Sequence, residues 1–390
     1  MDKKIKKLNF QEKILIFIKK TKPKNGKYVA ILTPLIIIAL VLSAWLTRTE
    51  DTKAVAEQAQ YKAKMTLVGD LMLGRFTENI VDKHGADYLF EHVQPYLKDS
   101  DYMTGNLDVP ILTKDESQYE SLDKDLLLST DKRSLKSIKN AGFSVLNLAN
   151  NNAMNYGEKG LKDTLASLQE EGIDSVGAGA NESSAKKVSY QDVNGLKVAT
   201  LGFTDVRSEG TEAKKNKAGV VYTDPDALFN EIEKAKDPKQ GNADLVVVNV
   251  HWGQEYDMEP SPRQEALAKA MVDAGADMIA GHHPHVLSSF DVYKDSVIFY
   301  SLGNFVSDQG WSNTKNTALA QYKLKEDGTA YVDVVPLRIE EGSPRPVDNW
   351  WYKKQIFNSL TKGVSKGVLW EQKDDKIRIF LNHNKVIDKS

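Results

Sequence analysis

The amino-acid sequence predicts an α/β domain that follows a single N-terminal transmembrane helix. Short apolar runs, most of them rich in β-branched residues, alternate with helical stretches over most of the chain. Such runs are typical of central strands buried on both faces, and their alternation with helices favours a sheet between helical layers. A separate uncharged, apolar stretch near the N-terminus is long enough to cross a bilayer as a helix.

The first 60 residues divide into a basic tail, an apolar segment and a polar linker. Residues 1–27 contain ten Lys, one Asp and one Glu, a charge of +8; the whole chain carries −2, so residues 28–390 carry −10. Residues 28–46, "YVAILTPLIIIALVLSAWL", contain no charge and predict the transmembrane helix. The basic tail predicts a cytoplasmic N-terminus, and residues 47–60 predict a linker to an extracytoplasmic domain. The expected location is therefore the cell membrane, crossed once.

A cleaved signal peptide is the alternative to this anchor. The small residues at 54–56, "AVA", resemble a cleavage site. The basic tail and the apolar segment are both longer than in typical signal peptides, so the sequence favours an uncleaved anchor.

Six apolar runs predict the strands of a domain that spans residues 61–340. Each run is followed by Gly, Asn, Asp or His, which are residues typical of turns and of binding sites. The runs are "MTLVGD" (65–70), "FSVLNLANN" (143–151), "LKVATLGFTD" (196–205), "DLVVVNVHWG" (244–253), "DMIAGHHPH" (277–285) and "SVIFYSLGN" (296–304).

Helices are predicted between these strands. Residues 157–172 place their leucines on one face and end at a glycine, and residues 261–275 begin with Ser-Pro and also end at a glycine. Residues 322–340 predict a hairpin, and residues 341–390 predict a C-terminal extension packed on the domain.

Several kinds of chemistry are excluded or not indicated. The chain contains no cysteine, which excludes disulfides, thiolate metal sites and a cysteine nucleophile. It contains neither a P-loop nor a Rossmann glycine pattern, so neither route to nucleotide binding is indicated. The concentration of basic residues in a short N-terminal tail does not favour nucleic acid as a partner.

Polar residues follow the predicted strands where open α/β sheets bind their ligands, beyond the carboxyl ends of the strands. Four of the seven histidines lie between residues 251 and 285, and three of them occur in "GHHPH". A lone His is more often a satisfied core residue, but three imidazoles within four residues indicate a binding function. The polar residues at the strand ends are Asp70, Asn106, Asp108, Asn150, Asn151, Asn152, His251, His282, His283, His285 and Asn304.

The residue types at these strand ends indicate a metal site. Imidazole and carboxylate are ligands for Zn, Fe and Mn, whereas an amide oxygen is a weaker, neutral ligand. One or two carboxylates, an Asn and three His from different strand ends suit a dinuclear centre. Two ions about 3.5–4 Å apart can clamp a phosphoryl group and activate water. We therefore expect two divalent metal ions, Mn, Fe or Zn.

Six motifs occur in the order found in the CapA (PgsA) capsule-synthesis family, which the chain resembles from about residue 65 to residue 307. Members of that family are membrane-anchored proteins implicated in making or exporting poly-γ-glutamate, and they are relatives of calcineurin-like metallophosphoesterases. The resemblance implies a four-layer α-β-β-α sandwich with a metal site at the strand ends. The expected partners are the cell membrane and an anionic envelope polymer or its synthase complex. The motifs are "LVGDLMLGR", "GNLDVPI", "LANNNAMNYGEKGL", "VHWGQEY", "GHHPHV" and "YSLGNF".

The resemblance also implies a role for each matching residue. The metal ligands would be carboxylates, one amide and three imidazoles, from Asp70, Asp108, Asn151, His251, His283 and His285. Arg75 would contact an anion near the site. The surrounding positions that would line or support the site are Asn106, Asn150, His282 and Asn304.

The chain departs from the family pattern at three positions. The family usually has His and Asp where this chain has Asn152 and Asn155, and Glu where it has Asp108. In the metallophosphoesterase pattern, that His protonates or polarises the leaving group, and such assistance contributes about 10²–10⁴ in rate. A carboxamide has no proton to transfer at neutral pH and can only donate a hydrogen bond. The resemblance therefore implies a metal site of reduced or altered catalytic power.

Three functions remain open from the sequence. The first is a role in the synthesis or export of a capsule polymer, the second is an active phosphoesterase or other hydrolase at the cell surface, and the third is a non-catalytic polymer-binding or scaffold protein. Asn152 favours the third over the second. A charge of −10 on residues 28–390 does not attract a polyglutamate chain, so a local basic patch or bound metal would have to hold it.

Overall fold

The computed structural model describes residues 10–22, 26–27, 30, 33–35, 37–38, 61–124, 127–310 and 313–387. The chain divides into two compact units, Met1–Ala59 and Gln60–Ser390. In the first unit, helix α1 spans Phe10–Thr21. The predicted linker and most of the predicted transmembrane segment lie outside the described residues. None of the helices within the described ranges is both long enough and apolar enough to cross a membrane.

The second unit alternates strands and helices, so the predicted α/β class is confirmed. Its strands are β1 (Ala63–Leu71), β2 (Tyr102–Leu107), β3 (Val145–Asn147), β4 (Asp174–Val176), β5 (Ala178–Gly179), β6 (Ser189–Val193), β7 (Leu196–Thr204), β8 (Gly219–Val220), β9 (Leu245–His251), β10 (Met278–His282), β11 (Phe290–Tyr293), β12 (Ser296–Phe299), β13 (Asn304–Val306), β14 (Asn316–Leu324), β15 (Thr329–Glu340), β16 (Ser343–Pro346), β17 (Trp370–Lys373) and β18 (Lys376–Asn382). Its helices are α2 (Phe76–His84), α3 (Tyr88–Glu91), α4 (Gln94–Leu97), α5 (Lys132–Ala141), α6 (Gly157–Glu170), α7 (Glu182–Ala185), α8 (Pro225–Lys236), α9 (Pro262–Ala274), α10 (Trp350–Thr361) and α11 (Asn384–Ile387), with a 3-10 turn at Glu116–Gln118.

The strands form two large sheets and one small sheet. The larger sheet has the order β17-β18-β15-β14-β1-β2-β3-β4, with β13 beside β1 and β16 beside β15. Strands β1 to β4 are parallel, whereas β14, β15, β18 and β17 are antiparallel to their neighbours. The second sheet has the order β11-β12-β10-β9-β7-β6, with β7, β9, β10 and β12 parallel. The small sheet pairs β5 with β8.

The two large sheets pack face to face, and helices cover their outer faces. Met65 and Leu67 of β1 share one apolar cluster with Val247 of β9 and Met278 of β10. The opposite face of the larger sheet packs on α2, α5 and α6, and the outer face of the second sheet packs on α8 and α9. The layers therefore follow the order helix, sheet, sheet, helix. Because the central strands are buried on both faces, their sequences are continuously apolar.

One of the two helices predicted from the sequence has the expected ends, and the other has its cap one residue before the expected one. Ser261 caps α9 by accepting a hydrogen bond from the Gln264 N–H, and Gly275 ends that helix with φ 118°. Helix α6 ends at Glu170 with Glu171 as its cap, and Gly172 follows with φ 67°. The predicted cap position is therefore one residue late, although the glycine does supply the left-handed turn.

One predicted strand is divided between the two sheets. "SVIFYSLGN" forms β12 in the second sheet, and its last residue, Asn304, begins β13 beside β1 in the larger sheet. Gly303, with φ 68°, turns the chain between them. Farther along, residues 341–390, predicted as an extension, contribute β16, α10, β17 and β18. The turn at Gly303 brings Asn304 next to Asp70 of β1.

Candidate metal centre

The strand ends of both sheets bring the predicted polar residues together. Asp70, near the end of β1, is in register with Asn106 of β2 and Asn304 of β13. His251 and His282 are the last residues of β9 and β10, and they are in register with each other. All five residues are fully buried. Two different sheets therefore supply side chains to one buried cluster.

Glycines allow backbones to approach closely beside these residues. A Cβ atom on Gly69 would lie 1.9 Å from the carbonyl oxygen of Gly303, which no side chain can tolerate. The Asp70 N–H donates a hydrogen bond to that same oxygen at 2.9 Å. A Cβ atom on Gly281 in β10 would lie 2.2 Å from the Tyr300 carbonyl oxygen. These two glycines therefore fix the backbone at the ends of β1 and β10.

The "GHHPH" turn holds two histidines in a sparsely populated backbone region. His283 has φ 95° and His285 has φ 57°, values that residues with a side chain rarely adopt. Such conformations cost about 1–3 kcal/mol each and cluster at functional sites. Both histidines are at least 95% buried, so the strain places imidazoles inside the cluster rather than at the surface.

Asp70 contacts four other residues of the cluster, namely Asn106, His282, His283 and His285. Its Oδ1 accepts a hydrogen bond from Asn106 Nδ2 at 2.8 Å, and its Oδ2 lies 3.0 Å from His285 Nδ1. The His283 backbone N–H donates to Oδ2 at 3.3 Å. His282 Nδ1 lies 3.4 Å from Oδ1. Asp70 is therefore central to the cluster.

A second line of contacts joins the asparagine loop to the histidines. His251 Nε2 lies 3.0 Å from Asn151 Oδ1, and its Nδ1 lies 3.3 Å from Asn106 Nδ2. The rings of His251 and His283 are 4.6 Å apart between centroids. Asn304 Oδ1 lies 3.0 Å from His285 Nδ1. The predicted amide and imidazole residues are thus in direct contact.

The arrangement of donor atoms fits a divalent metal. Asp70, Asp108 and His285 can place one ligand atom each within 4.8 Å of one another, and so can Glu255, His283 and His285. Within the described part of the chain, neither carboxylate oxygen of Asp108 has a hydrogen bond, and the same holds for His283 Nδ1, although all three atoms are buried. Buried polar atoms without partners are rare, and a metal ion would satisfy them. Carboxylate and imidazole together suit Zn, Fe or Mn.

The electrostatics of the acidic groups depend on their burial and on each other. Burial alone would raise the pKa of Asp70, but the hydrogen bonds and charges of His282 and His285 hold it well below its usual range. Burial, followed by the charge of Asp70, raises the pKa of Asp108 to about 7. The pKa of His285, which burial would lower, is raised to about 9 by its hydrogen bond to Asp70 and by that carboxylate's charge. Asp70 is therefore ionised at neutral pH.

The other two imidazoles are held neutral. Burial, with a smaller contribution from the charge of His283, lowers the pKa of His251 well below its usual value. Burial, with a smaller contribution from the charge of His285, lowers the pKa of His283 to about 4. A neutral imidazole has the free lone pair that a metal ion requires, so both groups are already in the ligating protonation state.

The loop after β3 is shaped by its first asparagine. Asn150 Oδ1 accepts hydrogen bonds from the backbone N–H groups of Asn152 at 3.1 Å and Ala153 at 2.8 Å. Its Nδ2 donates to Asn106 Oδ1 at 3.1 Å, and Asn147 Nδ2 donates to the same oxygen at 2.9 Å. Asn150 therefore supports the loop and joins it to β2.

Two of the three departures from the family pattern, Asn152 and Asn155, lie beside a lysine. Asn155 Nδ2 donates to Asn152 Oδ1 at 3.3 Å. Lys124 Nζ donates to Asn155 Oδ1 at 3.0 Å and also to the Asn151 carbonyl oxygen. Asn155 is buried, whereas Lys124 and Asn152 are half-buried. The positions where the family has His and Asp therefore form a connected set of polar groups in this chain.

Sequence reasoning did not single out Lys124 or Glu255. Lys124 lies in the stretch between β2 and α5, which has no periodic pattern and matches none of the motifs quoted above. Glu255 lies within the quoted motif "VHWGQEY", four residues after His251, and this proximity was the available signal. Of the predicted residues, Arg75 lies apart from the hydrogen bonds above. Its Nε donates to Asp308 Oδ2 at 2.9 Å, so a carboxylate already compensates its charge.

Sequence comparisons with known proteins agree on one family. The sequence profile of the bacterial capsule synthesis protein PGA_cap matches residues 64–309. Capsule biosynthesis protein CapA of Bacillus anthracis is 57% identical over 384 residues, covering 98% of this chain and 93% of that protein. PGA biosynthesis protein CapA of Bacillus subtilis is 45% identical over 381 residues, covering 97% of this chain and 98% of that protein. Among solved structures, the calcineurin-like phosphoesterase YfkN from Bacillus subtilis aligns with 73% of this chain and 89% of its own at 16% identity and a TM-score of 0.34, too weak a match to support any argument.

Proposed function

Because the chain belongs to the family of bacterial capsule synthesis proteins PGA_cap, we propose that it acts in the synthesis or export of an anionic capsule polymer of the poly-γ-glutamate type. The observation that carries this proposal is the identity of 57% to a capsule biosynthesis protein over nearly the whole length of both chains. The buried acid–imidazole cluster is the part of the molecule to which we assign the activity.

The proposal includes a divalent-metal centre at the strand ends. The residues that would hold the ions are Asp70, Asp108, Asn151, His251, His283 and His285, and Glu255 adds a carboxylate beside the last two. When bound, such ions act as Lewis acids towards a substrate oxygen and lower the pKa of water. The orphaned oxygens of Asp108 and the neutral state of His251 and His283 support this assignment.

The chain's own residues then define what chemistry is available. Asn152, half-buried beside Asp108, can donate a hydrogen bond to an anionic oxygen but cannot transfer a proton. This side of the centre therefore stabilises charge and does not protonate a leaving group. We infer weak or absent phosphodiesterase activity, which suits holding or orienting an anionic polymer more than cleaving it.

A non-catalytic polymer-binding or scaffold role is the second candidate. The specific observation that favours it is the replacement of both the expected His and the expected Asp by asparagine, at Asn152 and Asn155. An active metal-dependent hydrolase is the third candidate, and the two neighbouring groups of carboxylate and imidazole donors, which share His285, favour it.

We also propose that residues 28–46 anchor the protein in the cell membrane, with the main domain outside. The support is their uncharged, apolar sequence and the charge of +8 on residues 1–27. The test is protease treatment of intact protoplasts. Protection of the tail and digestion or release of the domain are expected; recovery of the full chain in the soluble fraction would contradict the anchor.

The capsule role is tested by complementation in a strain that lacks this gene. The wild-type chain is expected to restore surface polyglutamate, and so is Lys114→Ala, which changes an exposed lysine outside the cluster. Asp108→Asn is expected to lower polymer yield at equal protein level. If Asp108→Asn restores polymer fully, the metal centre is not needed and the scaffold function is favoured. No effect of gene loss on polymer would contradict the capsule role itself.

A further inference from the structure

Lys124, Asn155 and Asn152 form a chain of hydrogen bonds that ends at the candidate metal centre. Lys124 Nζ donates to Asn155 Oδ1 at 3.0 Å, and Asn155 Nδ2 donates to Asn152 Oδ1 at 3.3 Å. Asn152 in turn lies beside Asp108, whose carboxylate is buried. We call these three residues the amide relay.

The chemistry of the lysine decides which way each amide faces. An ammonium group has three donors and no acceptor, so the oxygen of Asn155 must face Lys124. The Asn155 NH₂ group then faces Asn152 and donates a hydrogen bond to it. Only the side-chain oxygen of Asn152 can accept that hydrogen bond. The oxygen of Asn152 therefore accepts the hydrogen bond within the relay. Its NH₂ group faces the metal centre as a donor.

The position of Asp108 agrees with this orientation. Among the described residues, neither of its oxygens has a hydrogen-bond partner, yet the Asn152 side chain is close enough to lower the pKa of Asp108. A donor at that place faces the oxygens that a metal centre collects, namely those of Asp108 and of a bound anion. An acceptor there would be repelled by both.

From this arrangement we propose that Lys124 is a positioning residue, which fixes Asn152 as a hydrogen-bond donor to an anionic oxygen of the ligand at the metal centre. The ligand class is an oxyanion, either a phosphoryl or a carboxylate group. The inference rests on the proposed metal centre and deepens it. At the two positions where the family has His and Asp, the asparagines would bind an anion instead of transferring a proton.

The alternative role for Lys124 is a direct one. Its positive charge lies near Asp108 and Glu255 and could attract an anion through space without the amides. The two roles differ in one respect. A relay acts only while Asn152 is present, whereas a direct charge acts whether or not Asn152 is there. A double-mutant cycle measures this difference.

The test uses the purified full chain loaded with Mn²⁺, with inorganic phosphate and glutarate as separate calorimetric probes. The phosphoryl or carboxylate nature of the ligand follows from which probe binds more tightly. Lys124→Ala is expected to weaken binding of that probe by about tenfold, the loss expected for one hydrogen bond to an anion. Asn152→Ala is expected to do the same, and the double variant should be no weaker than either single one. Lys124→Arg should retain most of the affinity, and Lys114→Ala, the matched exposed lysine, should match the wild type.

Each outcome has a defined meaning. Equal single losses that do not add, with unchanged metal content and unfolding temperature, support the relay. A Lys124→Ala loss that persists in the Asn152→Ala background overturns it in favour of a direct charge. Unchanged binding in Lys124→Ala also overturns it, and so does a metal-loaded wild type that binds neither probe. A wild type that holds no metal instead contradicts the proposed metal centre, on which the relay depends.

Discussion

In the proposed metal centre, Asn152 and Asn155 are the residues that would limit acid–base chemistry. A carboxamide at position 152 can donate to an oxyanion but has no titratable proton near neutral pH. Asn155 is buried and hydrogen-bonded on both sides, to Lys124 and to Asn152. The local network is thus complete without an acid–base pair, which is consistent with a site that holds an anion.

Restoring the family residues is expected to restore some catalysis. The double variant Asn152→His, Asn155→Asp should hydrolyse a chromogenic phosphodiester about 10² times faster than the wild type, the lower end of general acid–base assistance. The gain is limited because Lys124 would also pair with the new carboxylate. Initial rates at saturating Mn²⁺ measure the effect, with Asn152→His alone as the matched comparison. Fast turnover by the wild type would contradict the argument.

Metal affinity is expected to rise with pH. The pKa of His285 is raised to about 9 by Asp70, and that of Asp108 to about 7 by burial and the charge of Asp70, so both groups hold protons at pH 6 that a metal must displace. Each displaced proton changes affinity about tenfold per pH unit. Competition with a chelator between pH 6 and pH 9 measures this dependence. An affinity that is constant over that range would show that metal binding displaces a proton from neither His285 nor Asp108.

At the scale of elements, the close approach of β1 to the segment before β13 positions Asp70. Gly69→Ala would put a Cβ atom 1.9 Å from the Gly303 carbonyl oxygen. The strands must separate, so we expect a loss of about 3 kcal/mol in unfolding free energy together with lower metal content. Denaturant unfolding and elemental analysis are the measurements. Gly310→Ala, where a Cβ atom meets nothing within 4 Å, is the control. Equal behaviour of the two variants would exclude the proposed constraint.

Asp333 of β15 joins its two neighbouring strands in the antiparallel half of the larger sheet. This fully buried carboxylate accepts hydrogen bonds from Lys323 at 2.8 Å, Lys376 at 2.9 Å and Arg378 at 2.7 Å, which come from β14 and β18. Asp333→Asn leaves three cations without a full charge partner. It should lower the free energy of unfolding, measured by denaturant unfolding, by about 3 kcal/mol. Lys376→Gln removes only the most exposed of the three cations. It should lower the free energy of unfolding by less than about 1 kcal/mol.

The Asp333 carboxylate is expected to make the free energy of unfolding fall at acid pH. Burial would raise the pKa of Asp333, but Arg378 and Lys323 lower it to about 2. Its stabilising contribution is therefore complete above about pH 4 and is lost as the pH falls towards 2. In Asp333→Asn this loss should be absent, so the stability curves of wild type and variant converge at low pH. A constant difference between pH 6 and pH 2.5 would contradict the assignment.

The sequence predicts those parts of the fold and the site that depend on local patterns. Asp70, His251 and the "GHHPH" histidines could be placed at strand ends because apolar runs stop just before or at them. Lys124 could not, because its contacts with Asn151 and Asn155 cross about 30 residues that carry no periodic pattern. The division of one run into β12 and β13 was also missed, since a continuous apolar sequence does not reveal a turn between two buried sheets.

At the scale of the whole molecule, the charge is unevenly distributed along the chain. Residues 1–27 are strongly basic and residues 28–390 are acidic overall, so the field of the main domain repels a polyanion. On the proposed function, the metal centre and Lys124 would supply local positive charge for holding such a polymer. This ties the proposed capsule role to metal binding.

The metal content of the full chain tests this account most directly. After expression with Mn, Fe and Zn supplied and purification in detergent, elemental analysis is expected to give about two divalent ions per chain for the wild type. Asp108→Asn is expected to retain one or fewer, whereas Lys114→Ala should match the wild type. A wild type without metal, or an Asp108→Asn variant with the full content, would contradict the metal centre.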